Sequence, residues 1–437
     1  MSESIFASRR AELLRRMGPH AVAIFPSTPE ARRNSDVEHH FRQDSDVHYL
    51  TGCEEPESVV VLSTAHPEHA FTLFLRPRDK EQETWTGRRL GVEGAVKALG
   101  ANAAFSTSEL DAKLPAYFSN AERFVFRVGG TNPEIERRVL SVLSTMRMRS
   151  RSGQIPPDTI VDPGALLHEM RLIKSSEEVA TLRRAAALTA DGHLAAMRST
   201  RPGLREYQVQ AMLEERYRAG GAVYGWGYYP IVATGANATI LHYHENNAEL
   251  RDGDLLLIDS GAEFDFYTAD VTRTFPVNGR FTKPQSELYE ITLAAADHGI
   301  ALTRPGATLD GIHDACTRAL IEGLLRVGLL SGTIDSCIED KSYRKYYMHR
   351  TSHWLGMDVH DAGAYYVGGK PRPLAPGMVL TIEPGLYVAA DEASAPEKYR
   401  GIGIRIEDDI LVTSSGSENL TAAIPRTVAD LTKVQSR

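Results

Sequence analysis

Apolar residues in the first third of the chain fall into short runs, Ala21 to Phe25, Val59 to Leu62, Phe71 to Leu75 and Phe124 to Val128. Between them lie stretches with helical spacing such as NPEIERRVLSVLSTM at 132–146. Short β-rich runs alternating with amphipathic stretches predict an α/β domain. A polar stretch bearing Gly and Pro, RSRSGQIPPDT at 149–159, reads as a linker. After it, Ser175 followed by Glu178 forms a capping box that opens a long amphipathic helix. A second domain is expected from about there, so the chain divides into residues 1–172 and 173–437.

The second domain carries an internal duplication. TRPG occurs at 200–203 and again at 303–306, each time after one helical pattern and before another, REYQVQAMLEERYRAGG and LDGIHDACTRALIEGLL. Further on, LRDGDLLLIDSG at 250–261 aligns without a gap on LAPGMVLTIEPG at 374–385. Leu250 then falls on Leu374, Gly253 on Gly377, Ile258 on Ile382, Asp259 on Glu383 and Gly261 on Gly385. Two helices followed by strands, twice over, imply a pseudo-two-fold α+β domain with one acid placed alike in each half.

Composition narrows the class. The 437 residues are 42% apolar and 24% charged, ordinary for a globular protein of two or three domains. Lys and Arg number 49 against 57 Asp and Glu, with no basic block or long acidic tail, so neither nucleic acid nor a membrane surface is expected as a partner. The three cysteines, Cys53, Cys316 and Cys337, have no C-x-x-C spacing, which argues against a disulfide framework and for a reducing compartment. The N-terminal MSESIFASRRAELLRRMGPHAVAIF is charged throughout, and its apolar run is too short for a signal peptide or a membrane span. A cytoplasmic location is expected.

The acids supply the chemistry. DLLLIDSG returns as YTADVTRTFPV through AEFDF, a hairpin pattern, and a turn centred on Phe264 and Asp265 would set Asp259 opposite Asp270 with Cβ atoms roughly 5 Å apart. In the second half MVLTIEPGLYV and RGIGIRIEDDILVT are symmetric about Ala395, which pairs Glu383 with Glu407. Like charges facing each other beside the apolar run Leu255 to Ile258 need positive charge between them. Arg405 shares a face with Glu407, but one guanidinium cannot balance four carboxylates. Four carboxylates exceed what one tetrahedral zinc uses and match two ions bridged by carboxylates, with one histidine completing the set. An oxygen-rich set leans towards Mn²⁺, with Co²⁺ or Zn²⁺ as substitutes. MHRTSHWLGMDVHD at 348–361 offers His349, His353 and His360. The four-residue spacing of the first two suits one helical face, but Gly356 and the alternation after it argue against a helix. His39, His40, His48 and His244 are expected to be exposed or locally hydrogen-bonded.

LLLIDSG, YTADVTRTFPVNG, MHRTSHWLGMDVHDAG, LTIEPGLYV and GIGIRIEDDILVT together resemble the pita-bread metallopeptidases, and most closely the Xaa-Pro aminopeptidase (aminopeptidase P) family. RRNSDVEHHFRQDSDVHYLTGCEEPESVVVL and WTGRRLG resemble that family's N-terminal domain. The resemblance implies an α/β N-terminal domain followed by an α+β pita-bread catalytic domain holding two divalent ions. It implies five ligands, Asp259, Asp270, His353, Glu383 and Glu407, with Asp270 and Glu407 bridging. His242 in ILHYHEN, His349 and His360 match active-site histidines that touch the substrate without binding metal, and Arg405 matches an arginine that orients the ligands. Trp85 resembles a residue that reaches a neighbouring subunit's site, so a homo-oligomer, dimer or tetramer, is implied. The implied reaction is removal of the N-terminal residue from peptides with proline in second place, with Glu383 moving the proton.

Two details depart from the family pattern: Arg350 follows His349 where Gly is usual, and His244 stands where a small polar residue is usual. Three other readings bear on the same fold. Prolidase cleaves only Xaa-Pro dipeptides, creatinase has lost the metal ligands, and non-catalytic modules bind peptides without metal. All five ligands are present here, which counts against the last two.

Overall fold

The computed structural model describes residues 3–436. The chain divides into two compact units between residues 170 and 171. The first is built on a six-stranded mixed sheet, in spatial order Ala103–Ser106, Phe71–Leu75, Val59–Ser63, Ala21–Pro26, Arg123–Val125 and Thr159–Val161. Central residues such as Val22, Ile24, Val59 and Val61 are fully buried, and the helices Leu110–Phe118 and Pro133–Met148 cover them with Leu114, Val139 and Leu143. Helices on an apolar sheet face give the expected α/β layer. The polar stretch 149–159 is not an interdomain linker, however. It leaves the helix Pro133–Met148 through a short 3-10 turn at Ser150–Ser152 and enters the edge strand Thr159–Val161 of the same sheet. Its composition reflects surface exposure, which an intradomain crossing shares with a linker.

The second unit repeats one motif. Helices Ser176–Ser199 and Glu206–Ala219 pack as a pair, as do Lys283–Leu302 and Leu309–Arg326. Capping boxes open the long helix of each pair, Ser175 with Glu178 and Thr282 with Gln285. The repeated sequences make repeated bonds. Gly203 N–H donates to Leu250 O at 2.9 Å and Gly306 N–H to Leu374 O at 2.9 Å. Gly253 and Gly377 both turn with left-handed φ, 88° and 91°, a conformation that favours glycine and that sets the strand after each.

Each half contributes a three-stranded sheet, Thr272–Pro276, Leu255–Asp259 and Ile231–Thr234 in one, Val379–Ile382, Asp408–Val412 and Ser417–Asn419 in the other. Glu407 N–H donates to Thr272 O at 3.1 Å, joining the halves where both sets of acids stand. The helix pairs bury two core clusters, one that includes Leu256, Ile258, Leu288 and Ile404 and another that includes Ile312, Leu380, Ile382 and Ile410.

The first hairpin differs from the expected register. Asp259 faces Thr272, and the turn falls one residue later, on Asp265 and Phe266, which both take positive φ as a two-residue hairpin turn requires. Asp and Phe are not the usual turn pair, so the sequence did not signal it. Continuing this register sets Gly261 opposite Asp270. A Cβ at Gly261 would lie 1.7 Å from the Ala269 carbonyl oxygen, so the close strand approach there needs glycine. Asp259 and Asp270 are therefore diagonal neighbours on one face. The second hairpin keeps the expected register, Ile382 facing Asp408 and Gly385 facing Arg405, so Glu383 stands across from Glu407.

Candidate metal centre

The strand Leu255–Asp259 is buried along its whole length and delivers Asp259 at its end. Asp270 and Glu407 are also buried, and the side chains of Glu383 and His353 are 17% and 14% exposed. The His-rich segment forms no helix, in line with its pattern. It runs extended beside the strand Val379–Ile382: Thr381 N–H donates to His353 O at 3.0 Å, Glu383 N–H to Thr351 O at 2.8 Å and Leu355 N–H to Val379 O at 3.0 Å. An edge pairing of this kind carries His353 to Glu383, with Nε2 3.6 Å from Glu383 Oε1 and 3.2 Å from Asp270 Oδ2. Atoms of Asp270, His353 and Glu407 all lie within 4.8 Å of one another.

His353 Nδ1 is 3.0 Å from Trp354 O, and because a carbonyl only accepts, Nδ1 carries the hydrogen. Without metal, Nε2 carries a hydrogen as well and shares it with Asp270 Oδ2. Because Nδ1 is committed to Trp354 O, Nε2 is the nitrogen that would give up its proton to a metal ion. Burial and mutual repulsion define the electrostatics. Burial raises Asp270 above the usual carboxylate range and carries Glu383 up to about 7. It raises Glu407 further, helped by the charges of Asp270 and Glu383. For His353 burial works against the charge, but the hydrogen bond to Asp270 and the acids around it prevail and raise it to about 9. Arg405 is the guanidinium at the centre. Its Nη2 meets Asp259 Oδ2 at 2.5 Å, Nε donates to Thr272 Oγ1 at 3.0 Å and Nη1 to Tyr387 Oη at 2.9 Å. Arg405 and the His353 ring set two positive groups against four carboxyls, Asp259, Asp270, Glu383 and Glu407, an oxygen-rich cluster with one imidazole on its edge. That donor set fits divalent metal ions.

Several groups that shape the centre escaped the sequence reading. Tyr228 Oη lies 2.6 Å from both Asp259 Oδ1 and Asp270 Oδ1. Thr272 donates to Glu407 Oε2 at 2.7 Å, and the Asp409 carboxylate accepts the Asp270 N–H at 3.2 Å. Thr272 was legible from the alternation Asp270, Thr272, Thr274. Asp409 was likewise legible from the alternation Arg405, Glu407, Asp409. Tyr228 comes from another segment, and no local pattern marks it.

The centre opens into a cleft of about 920 Å³ lined by residues of the second unit. His242, His349 and His360 all line it, as do Tyr228, His244 and Arg350. His360 packs edge-on to His353 with ring centroids 4.4 Å apart. His349 Nδ1 donates to Arg350 O at 2.7 Å, so Nε2 accepts the Tyr387 hydroxyl at 2.9 Å, and burial lowers the ring to about 4, which keeps it neutral. Arg350 pairs with Asp310, which also accepts the Tyr366 hydroxyl at 2.8 Å. His244, given no role by the sequence, lies exposed on the cleft wall beside His242 and Tyr229. His39 and His40 are exposed, while His48 is buried against Phe6. Trp85 belongs to the first unit, on the helix Lys80–Thr86, and is 81% exposed. The three cysteines are free and buried.

With this geometry in view, two family models match: Metallopeptidase family M24 over residues 180–414 and the aminopeptidase P N-terminal domain over 6–126. The Xaa-Pro aminopeptidase of Escherichia coli is 44% identical over 97% of this chain and 96% of its own length. Human Xaa-Pro aminopeptidase 3 is 33% identical over 100% of this chain and 87% of its own. The structure of Pseudomonas aeruginosa aminopeptidase PepP superposes with a TM-score of 0.97 at 45% identity, covering 100% of this chain and 98% of that one. A zinc-substituted E. coli aminopeptidase P in complex with product superposes at 0.95 with 42% identity, covering 100% and 98%. The duplicated helices and strands, the acids at their ends and the matched sequence along both units agree, and the chain belongs to metallopeptidase family M24, with an aminopeptidase P N-terminal domain ahead of a pita-bread catalytic domain.

Proposed function

We propose that this chain is an Xaa-Pro aminopeptidase, a metal-dependent exopeptidase that removes the first residue from peptides whose second residue is proline. The observation that carries the reading is the convergence of Asp259, Asp270, His353, Glu383 and Glu407, drawn from both half-domains, at the base of one cleft in a chain 44% identical to an Xaa-Pro aminopeptidase along its length. These five residues would hold two divalent ions. Mn²⁺ suits the oxygen-rich set, and Co²⁺ or Zn²⁺ can replace it. Bound there, the ions supply a nucleophile from water at neutral pH and polarise the scissile carbonyl.

The chain's own residues do the remainder. Glu383, on the cleft beside the centre, takes the proton of the attacking water and returns it to the leaving proline nitrogen. The proline nitrogen, like any amide nitrogen, must gain that proton to leave as an amine. His360 and His242 face the cleft and meet the substrate carbonyls and the developing oxyanion. His349 is neutral with both nitrogens engaged, so it reaches the substrate by exchanging its Tyr387 partner. Arg405 holds Asp259 and, through Tyr387, sets the orientation of His349. The free amine of the substrate would lie at the Asp259 side of the centre.

A homo-oligomer, dimer or tetramer, with Trp85 near a partner's cleft, is proposed on the family resemblance and on the exposure of that indole. A reducing, cytoplasmic setting is proposed on three separate buried thiols, and no helix among the described residues is long and apolar enough to cross a membrane. The test is hydrolysis of an Xaa-Pro-Yaa tripeptide and an Xaa-Pro dipeptide, with and without chelator. Metal-dependent release of the first residue from the tripeptide is expected; cleavage of the dipeptide alone would assign the chain to the prolidases.

A further inference from the structure

His360 is carried by a loop without secondary structure, yet its surroundings are anchored by buried charge. Asp361, the next residue, has a side chain 1% exposed. Lys174 Nζ lies 2.9 Å from Asp361 Oδ2, and Arg171 Nη2 lies 2.6 Å from Asp361 Oδ1 and 2.8 Å from Asp358 Oδ2. The Lys174 side chain is also 1% exposed and that of Arg171 4%. The two cations hold Asp361 below the usual carboxylate range against its burial.

The backbone closes over this pair. Asp361 N–H donates to Trp354 O at 2.9 Å, so residues 354–361 form a loop cinched at its base. A Cβ at Gly356 would lie 2.1 Å from Asp361 Oδ2, so glycine there makes room for the carboxylate. On the other side, Lys174 N–H donates to Gly377 O at 2.8 Å, in the turn that leads into the strand Val379–Ile382 and on to Glu383. Lys174 thus joins the His353–His360 loop by its side chain and the Glu383 strand by its backbone. Ion pairs with both partners buried and hydrogen-bonded fix one geometry and are costly to break from one side.

We propose that the Lys174–Asp361 ion pair, seconded by Arg171, is a positioning device that sets where His360 stands in the cleft relative to His353 and Glu383. It deepens the function proposed above and rests on His360 meeting the substrate. Neither cation lines the cleft. Their action is through the loop.

The experiment uses the full chain loaded with diamagnetic Zn²⁺, as Lys174→Met and Lys174→Arg, each in the parent and in a His360→Ala background. Tripeptide hydrolysis and the His360 ring ¹⁵N–¹H cross-peak, identified by its loss in His360→Ala, are the readouts. A side chain displaced by about 1 Å can cost on the order of 100-fold, so Lys174→Met is expected to lower kcat by at least about tenfold in the parent. In His360→Ala, where the residue it acts through is gone, the further loss is expected to stay under about twofold. Lys174→Arg restores most of the parent rate, and the cross-peak moves in Lys174→Met. Equal losses in both backgrounds, or a cross-peak that does not move, would overturn the proposal. If Lys174→Met fails to fold, the paired Lys174→Met/Asp361→Leu variant removes both charges at once and is judged by the same readouts. A parent that leaves the tripeptide intact fails the functional reading instead, while the cross-peak still judges the positioning.

Discussion

Replacing Glu383 by Gln should stabilise the metal-free protein while abolishing its chemistry. Burial carries the Glu383 carboxyl from 4.5 to about 7 in the folded chain, and the negative charges of Asp270 and Asp259 add to the rise while His353 and Arg405 oppose it. A group whose folded pKa is raised stabilises fully below its unfolded pKa and loses that contribution as pH climbs through its folded one. For Glu383 the window runs from 4.5 to about 7. At pH 8 the metal-free parent therefore carries a penalty of about 3 kcal/mol that a neutral amide of the same shape avoids. At pH 5 the folded carboxyl is still mostly protonated, and the same substitution should gain less than about 1 kcal/mol. Urea unfolding of parent and Glu383→Gln in excess chelator, at both pH values, reads the difference. Saturating metal should reverse the order, because the parent then gains binding energy that the amide lacks. A variant less stable than the parent in chelator at pH 8, or a gain of equal size at pH 5 and pH 8, would refute the reasoning.

His353→Ala removes the one imidazole at the centre. It should cost at least about 10-fold in metal affinity and most of the hydrolysis, read by metal titration and rate on the tripeptide, with far-ultraviolet circular dichroism unchanged. Tyr228→Phe deletes the hydroxyl placed between Asp259 and Asp270. With one buried donor gone, the two carboxylates repel more strongly, so the metal-free protein should lose about 1 to 3 kcal/mol at pH 8, seen by thermal unfolding in chelator. Arg350→Gly breaks the contact that ties the His349 loop to Asp310 at the cleft wall. It should widen the cleft and raise the ratio of kcat/KM for long over short Xaa-Pro peptides, and an unchanged ratio across a length series would remove Arg350 from specificity.

Much of the centre is legible in the amino-acid sequence. Duplication of LRDGDLLLIDSG and LAPGMVLTIEPG identified Asp259 and Glu383 as equivalent, and the bonds made by Gly203 and Gly306 repeat just as the sequence does. The second hairpin register, pairing Glu383 with Glu407, followed from symmetry about Ala395. The first did not, because its turn is made by Asp265 and Phe266 in a conformation that neither residue type announces.

What the sequence determined by itself is local and periodic: where strands and helices run, that two halves are copies, and that buried acids at strand ends require cations. These follow because burial pattern and capping act within a few residues of chain. Tertiary structure alone decided the rest. Tyr228 reaches Asp259 from 31 positions away and Arg405 from 146 away, so their hydrogen bonds leave no trace in any window of sequence. The choice among histidines, which the sequence carried only through its family resemblance, has its physical reason in the tertiary structure as well. His349, His353 and His360 lie close together in one segment, yet extended pairing with the strand Val379–Ile382 aims His353 at the acids, and Tyr387 occupies His349. A side chain's role is set by which partners its backbone trajectory brings within hydrogen-bonding reach, and that trajectory is fixed by packing between the two half-domains.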